Sequence, residues 1–343
     1  MDPLAHRNIG NTPWQVTRLG FGGATLGDRG TPTPEGWSDD TVGAAWAAGI
    51  GYFDTAPYYG LGKSEHRLGR VLRNRPRESF TLSTKVGRVM QRPSPARGYA
   101  PVRWTGGLPF EFRLDYTRDG VLRSFEDSLQ RLGLNCVEGL LIHDLDLRAL
   151  GTEEAVEARF QELDAGGGFA ALAELKASGD IFAIGAGVNH AGMVSRYLER
   201  FPLDFFIIAM AYTLLSQEAL EQDLALCRDR GVSVVIGAPF ASGILARGPG
   251  AGAEYGYRPA EEAVLEHTRR IAAVCERHQV PLAAAALQFP LGHPAVAAVI
   301  PGPNTPEQVR RNVELARAPI PPDLWLELKA EGLIHPDAPL THL

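Results

Sequence analysis

Apolar residues fall along the chain in two alternating rhythms. One is a short, nearly continuous run: LGFGG (19–23), IGYFD (50–54), FTLSTKV (80–86), VEGLLIH (137–143), IFAIGAGV (181–188), DFFIIA (204–209), VSVVIG (232–237) and VAAVIPG (296–302). Runs of this length bounded by turn residues mark strands buried on both faces. The other rhythm has helical period, over 39–48, 64–73, 118–132, 169–178, 190–200, 216–229, 261–278 and 305–315. The clearest helix is DYTRDGVLRSFEDSLQRLG, where Val121, Leu122, Phe125, Leu129 and Leu132 form one stripe and Gly133 ends it. Eight strand segments in alternation with eight helical ones predict a parallel sheet with crossover helices. Eight repeats predict closure, so the expected fold is a single α/β domain over 1–343, a (β/α)8 TIM barrel. An open doubly wound sheet is the alternative. Ahead of the barrel, HRNI, GNT and WQVTRL read as an N-terminal β-hairpin.

Two long stretches break the rhythm, 88–116 and 239–259, after the third and seventh strands. Long loops at that rim cover or shape a site. Trp104, Phe110, Phe112, Tyr255 and Tyr257 argue against disorder there. Composition narrows the function class. With 343 residues, 45% of them hydrophobic, the chain can bury a large core, and a net charge of -6 disfavours nucleic acid as a partner. Neither a charged-then-apolar N-terminus nor a long apolar run is present, so a cytoplasmic protein with no membrane partner is expected. Cys136, Cys227 and Cys275 are far apart and without CxxC spacing, which predicts buried free thiols rather than disulfides or zinc ligands.

In a barrel of this kind the site lies at the carboxyl ends of the strands. The second strand ends in Asp54, with Tyr58 and Tyr59 beyond it, the third near Lys85, and the fourth in His143. Each alone has an ordinary explanation: a turn-capping aspartate, a surface lysine, a structural histidine. On three successive strands at one rim they form a candidate acid–base set. A tyrosine of ordinary pKa near 10 exchanges protons more readily beside an ammonium, an aspartate would orient that ammonium, and a histidine would orient an oxygen. Such a set suits carbonyl/alcohol interconversion. It does not by itself choose between Tyr58 and Tyr59. No metal cluster and no Ser–His–Asp pattern is evident. That chemistry needs a hydride carrier, yet GFGGATLG (20–27) and GAGVNH (185–190) fail the dinucleotide fingerprint, with Thr25 and His190 at the third glycine. IPGPNTPEQVRRN (300–312) offers another phosphate site, a helix start with Thr305, Pro306 and Gln308 in a capping-box pattern.

The motifs GYFDTAPYYGLGKSEHRLGRVL, STKVG, DSLQRLGLNCVEGLLIHD, VIGAPFASGIL and VIPGPNTPEQVRRN together resemble the aldo-keto reductase family, from about Arg18 to Asn312. The resemblance implies a nicotinamide cofactor bound without a Rossmann domain and an Asp–Tyr–Lys–His tetrad. The family spacing chooses Tyr59, with Asp54, Lys85 and His143 as its partners, and leaves Tyr58 as a pocket wall. It implies that Asn189 holds the nicotinamide amide. It also implies cofactor contacts at Gly23, Asp54, Pro239, Gly243, Pro301, Gly302, Gln308 and Asn312. Substrate would meet Tyr58, Tyr59, His143, Trp104 and Phe110.

The chain departs from the family at Val188, Ala209 and Gly237, which alters the clamp around the ring. Gly302, Pro303 and Gln308 replace the cationic residues of NADP-using members, so NAD is expected, with NADP possible, unless Arg310 and Arg311 compensate. Within the family, GGLPFEFRLDYTRDGVLRSFEDSLQRLGL and DFFIIAMAYTLL resemble sugar 1-dehydrogenases (L-fucose, D-threo-aldose and L-galactose type) and pyridoxal 4-dehydrogenases. Both oxidise a cyclic hemiacetal to a lactone. The resulting expectation is an aldose 1-dehydrogenase, with pyridoxal oxidation, general aldehyde reduction or a cofactor-binding regulatory subunit as alternatives. A monomer or small homo-oligomer acting on a small molecule, with no metal, is expected.

Overall fold

The computed structural model describes residues 2–29, 32–102 and 104–340, so Arg103 of the loop 88–116 lies outside the described residues. Eight parallel strands form one sheet: β1 (Phe21–Gly22), β2 (Tyr52–Asp54), β3 (Thr81–Val86), β4 (Gly139–His143), β5 (Ala183–Val188), β6 (Phe205–Ala209), β7 (Ser233–Gly237) and β8 (Val296–Ile300). Their order in the sheet is their order in the chain. The first and last meet, since Leu19 pairs in parallel with Val299 and the Gly22 N–H donates to the Pro301 carbonyl at 2.9 Å. The sheet is therefore a barrel, not an open doubly wound sheet. Around it run α1 (Glu35–Ala47), α2 (Lys63–Leu72), α3 (Arg118–Leu132), α4 (Gly168–Ser178), α5 (Met193–Leu198), α6 (Ala225–Arg230), α7 (Glu262–Arg277) and α8 (Pro306–Arg317).

Side chains alternate across each strand, and this decides what faces the axis. Phe53, Leu82, Leu140 and Ile142 point outward into the core shared with the helices, beside Leu68 of α2 and Val121 and Phe125 of α3. Tyr52 and Leu141 point inward, where they cluster with Phe205, Val235, Ile300 and Trp14. Trp14 belongs to the expected hairpin, whose strands His6–Asn8 and Gln15–Thr17 pair antiparallel. Its indole stands edge-on to Tyr52 and Phe205, with ring centres 5.5 and 5.3 Å away, and so closes the amino end of the barrel. Gly139 makes this possible, because a Cβ there would lie 2.6 Å from the Trp14 ring. Asp54 is two residues beyond Tyr52 and His143 two beyond Leu141, so both point inward at the open carboxyl end. Lys85 does the same on β3, two residues after Ser83.

Several boundaries differ from the sequence pattern. Leu122 and Leu129 of the α3 stripe are only half-buried, although Thr117 and Gly133 cap the helix as its residues dictate. Helical period over 216–229 predicts one helix, but the chain forms a π-helical turn, Leu220–Leu224, before α6. That wider turn brings Asp223 inward, where its carboxylate accepts from the Gly192 N–H at 2.8 Å. A further helix, Glu153–Leu163, is capped by Thr152. The stretch 88–116 is no irregular loop throughout: Arg88–Gln91 pairs antiparallel with Glu111–Leu114 as a ribbon at the barrel mouth. The stretch 239–259 holds a short helix, Ile244–Arg247, and a two-residue ladder of Glu254–Tyr255 with Arg258–Pro259.

Candidate active site

At the carboxyl end of β2 and β3, Asp54 and Lys85 are each only 2% exposed. The lysine ammonium donates to Asp54 Oδ1 at 2.8 Å, to Asp54 Oδ2 at 2.7 Å and to the Thr55 carbonyl at 2.7 Å. An ammonium has three donors, so all are engaged. Ser83, one level below Lys85, donates to Asp54 Oδ1 at 2.7 Å and contacts the Tyr52 hydroxyl at 2.9 Å. Burial pushes the Asp54 carboxyl up, and Lys85 and Ser83 act against it.

The two tyrosines stand over this pair but differ in neighbours. Tyr59 has the Lys85 ammonium 4.9 Å from its ring centre and His143 edge-on at 5.6 Å. Tyr58 lies beneath Arg88, whose guanidinium is 4.5 Å from the ring centre. Trp104 packs against both tyrosines, and Phe112 packs against Tyr58. Desolvation, then Asp54 and Asp144, raise the Tyr59 hydroxyl well above the usual phenol range, while Arg88 pulls the other way. A lowered tyrosine pKa, expected from the lysine alone, is therefore not found. The aspartate that holds Lys85 also cancels its charge. Burial lowers His143 well below its usual range and keeps its imidazole neutral, and its Nδ1 is buried without a partner. A protonated phenol and a neutral imidazole with ring centres 5.6 Å apart can donate to, or accept from, a single substrate oxygen.

Sequence reasoning missed two charged members of this site. Arg88 is buried and donates from Nη1 to the His143 carbonyl at 3.1 Å, while Nη2 is 3.1 Å from Asp144 Oδ2. Asp144 is held in the left-handed region at φ 46°. Burial opposes its ionisation, but His143, Arg88 and Asn189 outweigh this and hold the carboxyl below its usual range. Both residues directly follow strand-end motifs, KVG and IH, and that adjacency was the available signal. Among the expected wall residues, Trp104 is buried against the tyrosines. Phe110 instead faces outward, 40% exposed, and Phe112 on the same ribbon takes the wall position.

The remaining expected residues form two groups. Asn189, at the end of β5, donates from Nδ2 to Asp144 Oδ1 at 2.8 Å and lines a cleft of about 320 Å³ with Met210, Ala211, Tyr255, Arg148 and Arg258. Pro239 and Gly243 sit in the turn after β7, where Ala238, Ala241 and Ser242 take φ values of 50, 47 and 62°. Non-glycine residues held there store strain, which clusters at ligand clamps. Across the barrel, Gly302 is exposed after β8, and Gln308 and Thr305 cap α8, with Gln308 Oε1 accepting from the Asn304 N–H at 2.7 Å. Asn312 is buried on the inner face of α8. Gly23 lies differently: it is buried, its carbonyl takes the Ser64 hydroxyl at 2.7 Å, and a Cβ would meet the Asp54 carbonyl at 2.7 Å. It supports Asp54 from behind. Pro301 is buried in the seam between β1 and β8.

The profile of the aldo/keto reductase family matches residues 18–330. The chain belongs to the aldo/keto reductase family. It is 40% identical over 336 residues to a pyridoxal 4-dehydrogenase of Microbacterium luteolum, spanning 96% of this chain and 97% of that one. It is 36% identical over 326 residues to a D-threo-aldose 1-dehydrogenase of a Pseudomonas species, spanning 93% and 95%. The fold matches the holo form of an aldo-keto reductase from Bacillus halodurans, with TM-score 0.72, 26% identity and 98% of both chains covered. As a member of this family the protein is an oxidoreductase that uses a nicotinamide cofactor on small molecules. The cleft at Asn189 has a partly polar lining, with Arg148, Ser216, Glu218 and Arg258 beside it, and the Pro239–Gly243 turn is not part of that lining.

Among the described residues no cluster of three or more His, Cys, Asp or Glu could hold a metal ion, and no helix is long and apolar enough to cross a membrane. The three thiols are free. Burial pushes Cys227 up to about 12 and Cys275 to about 11, whereas Cys136 is only half-buried.

Proposed function

We propose that this aldo-keto reductase oxidises a cyclic hemiacetal to a lactone with NAD, Tyr59 acting as the general base. The observation that carries the reading is the convergence of Tyr59, Lys85–Asp54 and neutral His143 at one strand-end rim, with the Trp104 ring against Tyr59. Tyr59 takes the proton from the anomeric hydroxyl. Lys85, fixed by Asp54 and Thr55, keeps a positive charge under the phenol as it becomes anionic. His143 meets the same oxygen and sets its direction. Asn189 and the Pro239–Gly243 turn would hold a nicotinamide cofactor, which would supply the hydride acceptor. In the reverse direction the protonated Tyr59 donates to a carbonyl oxygen.

Two substrates fit. An aldose oxidised at C1 matches the reading of the sequence. Pyridoxal is favoured by the higher identity of the pyridoxal relative, and by a wall of flat rings, Tyr58, Trp104 and Phe112, suited to an aromatic face. The test is an NAD-reduction screen over pyridoxal, L-fucose, D-arabinose and L-galactose, with the lactone identified by mass spectrometry. A lactone from at least one is expected. Reduction of simple aldehydes with no lactone from any of the four contradicts the reading.

NAD rather than NADP follows from the end of β8. Gly302, Pro303 and Gln308 offer no cation to a 2′-phosphate. Arg310 and Arg311 sit on the exposed face of α8 in pairs with Glu307 and Glu314, at 2.6 and 3.3 Å. Turnover at equal NAD and NADP concentrations should favour NAD, and a clear NADP preference overturns this part.

A further inference from the structure

We propose that Arg88 is a specificity-determining residue that selects substrates carrying a second oxygen, hydroxyl or phenolate, one or two carbons from the reacting carbon. The inference deepens the reading above and rests on its placement of the reacting carbon beside Tyr59.

Arg88 is put in place by the turn that ends β3. Gly87 takes φ 101°, and a Cβ there would lie 2.0 Å from the Tyr116 ring, so only glycine lets the chain turn so close to that ring. The Tyr116 hydroxyl donates to the His143 carbonyl at 2.7 Å, the same carbonyl that takes Arg88 Nη1 at 3.1 Å. Arg88 is thereby tied to the backbone of a residue at the centre of the site. Its plane is set by Tyr58 at 4.5 Å and Phe112 at 5.7 Å.

The two buried cations beside Tyr59 differ in what they have left to give. Lys85 has spent its donors on Asp54 and Thr55. Arg88 meets one carbonyl and one carboxylate, and its Nε–H is buried with no partner. A guanidinium has five donors in a fixed fork. A desolvated donor without a partner is rarely retained in a fold, and this one belongs to a guanidinium packed on Tyr58 and tied to the His143 carbonyl. The complement is an electron-rich oxygen on the substrate, near the carbon whose oxygen faces Tyr59 and His143. An aldose carries a hydroxyl on the carbon next to C1. Pyridoxal carries its phenolic oxygen on the ring carbon next to the one bearing the aldehyde. One guanidinium would recognise the feature these two otherwise different molecules share. Asp144 then has a positioning part: it balances the charge of Arg88 and links it to Asn189 at 2.8 Å.

The experiment is the reduction of salicylaldehyde and benzaldehyde by the whole enzyme, with Arg88→Lys and Arg88→Met beside the wild type. It needs only aldehyde reduction, so it reads Arg88 even if the lactone assay fails. The wild type should favour salicylaldehyde in kcat/KM by about ten- to a hundredfold, the range of one charge-assisted hydrogen bond, and chiefly through KM. Arg88→Met should bring the ratio towards one. Arg88→Lys, which keeps the charge but not the fork, should fall between. A wild-type ratio near one overturns the proposal without any variant. So does an unchanged ratio in the variants, however far both rates fall. Loss of all turnover in both variants assigns Arg88 to the fold or the chemistry rather than to selection, and overturns it too.

Discussion

At the scale of single residues, the site is governed by who neutralises whom. Lys85 is bound so fully by Asp54 and Thr55 that it acts as a fixed charge under Tyr59. Burial, then Asp54 and Asp144, nevertheless keep the Tyr59 phenol protonated well into the alkaline range. As the proposed base in oxidation, it must first lose that proton, so oxidation should speed up as pH rises. kcat/KM for NAD-dependent oxidation should climb from pH 7 to 10 at up to about tenfold per unit without levelling, while reduction stays flat. A plateau of the oxidation rate below pH 8 would show a lowered phenol pKa instead. The same ion pair also bears on stability. Lys85→Met leaves Asp54 buried and unpaired, which should cost about 3–5 kcal/mol in denaturant unfolding. Adding Asp54→Asn should recover part of that loss, and strict additivity of the two would contradict the coupling.

At the scale of elements, the strand-end positions of Asp54 and His143 made their place at the carboxyl rim legible before any coordinates, and the structure turns both inward. Each lies two residues beyond an apolar inward residue, Tyr52 and Leu141. Eight alternations also gave the closure. What the residues could not give was the ribbon of Arg88–Gln91 with Glu111–Leu114. Its two halves are separated by Pro- and Gly-rich chain, and pairing across such a gap leaves no local period to read. The exposure of Phe110 and the packing of Phe112 on Tyr58 were illegible for the same reason, since both depend on how that ribbon lies on the mouth. Gly87 is the hinge between β3 and the ribbon. Gly87→Ala should lower stability by about 1–3 kcal/mol and displace Tyr116. It should also reduce activity, because Arg88 and the His143 carbonyl move with it. Unchanged unfolding in denaturant would mean that the Tyr116 ring gives way freely.

At the scale of the whole molecule, the barrel collects residues distant in sequence at one rim, and this is why the candidate tetrad was legible while its surroundings were not. Tyr58 and Tyr59 were equivalent on residue chemistry alone. Family spacing separated them, and the structure gives them different neighbours, Lys85 for Tyr59 and Arg88 and Phe112 for Tyr58, with His143 edge-on to both. Closure also buries groups outside the site. His293 is 2% exposed, and burial lowers it to about 4 from 6.5. It is neutral when folded and takes a proton when unfolded, so its contribution is full above pH 6.5 and is lost as pH falls towards 4. Denaturant midpoints should fall across that window. His293→Asn, whose side-chain oxygen can replace Nδ1 in accepting the Ala295 N–H, should fall less steeply, and an identical slope would place the acid sensitivity elsewhere.

The central claim is that Tyr59 carries the proton while the rest of the barrel mouth binds. It is tested most directly by Tyr59→Phe, measured for turnover of the best substrate and for cofactor binding by protein fluorescence. Turnover should fall by about a hundred- to ten-thousandfold with the cofactor dissociation constant nearly unchanged. Near-normal turnover in Tyr59→Phe would contradict the account.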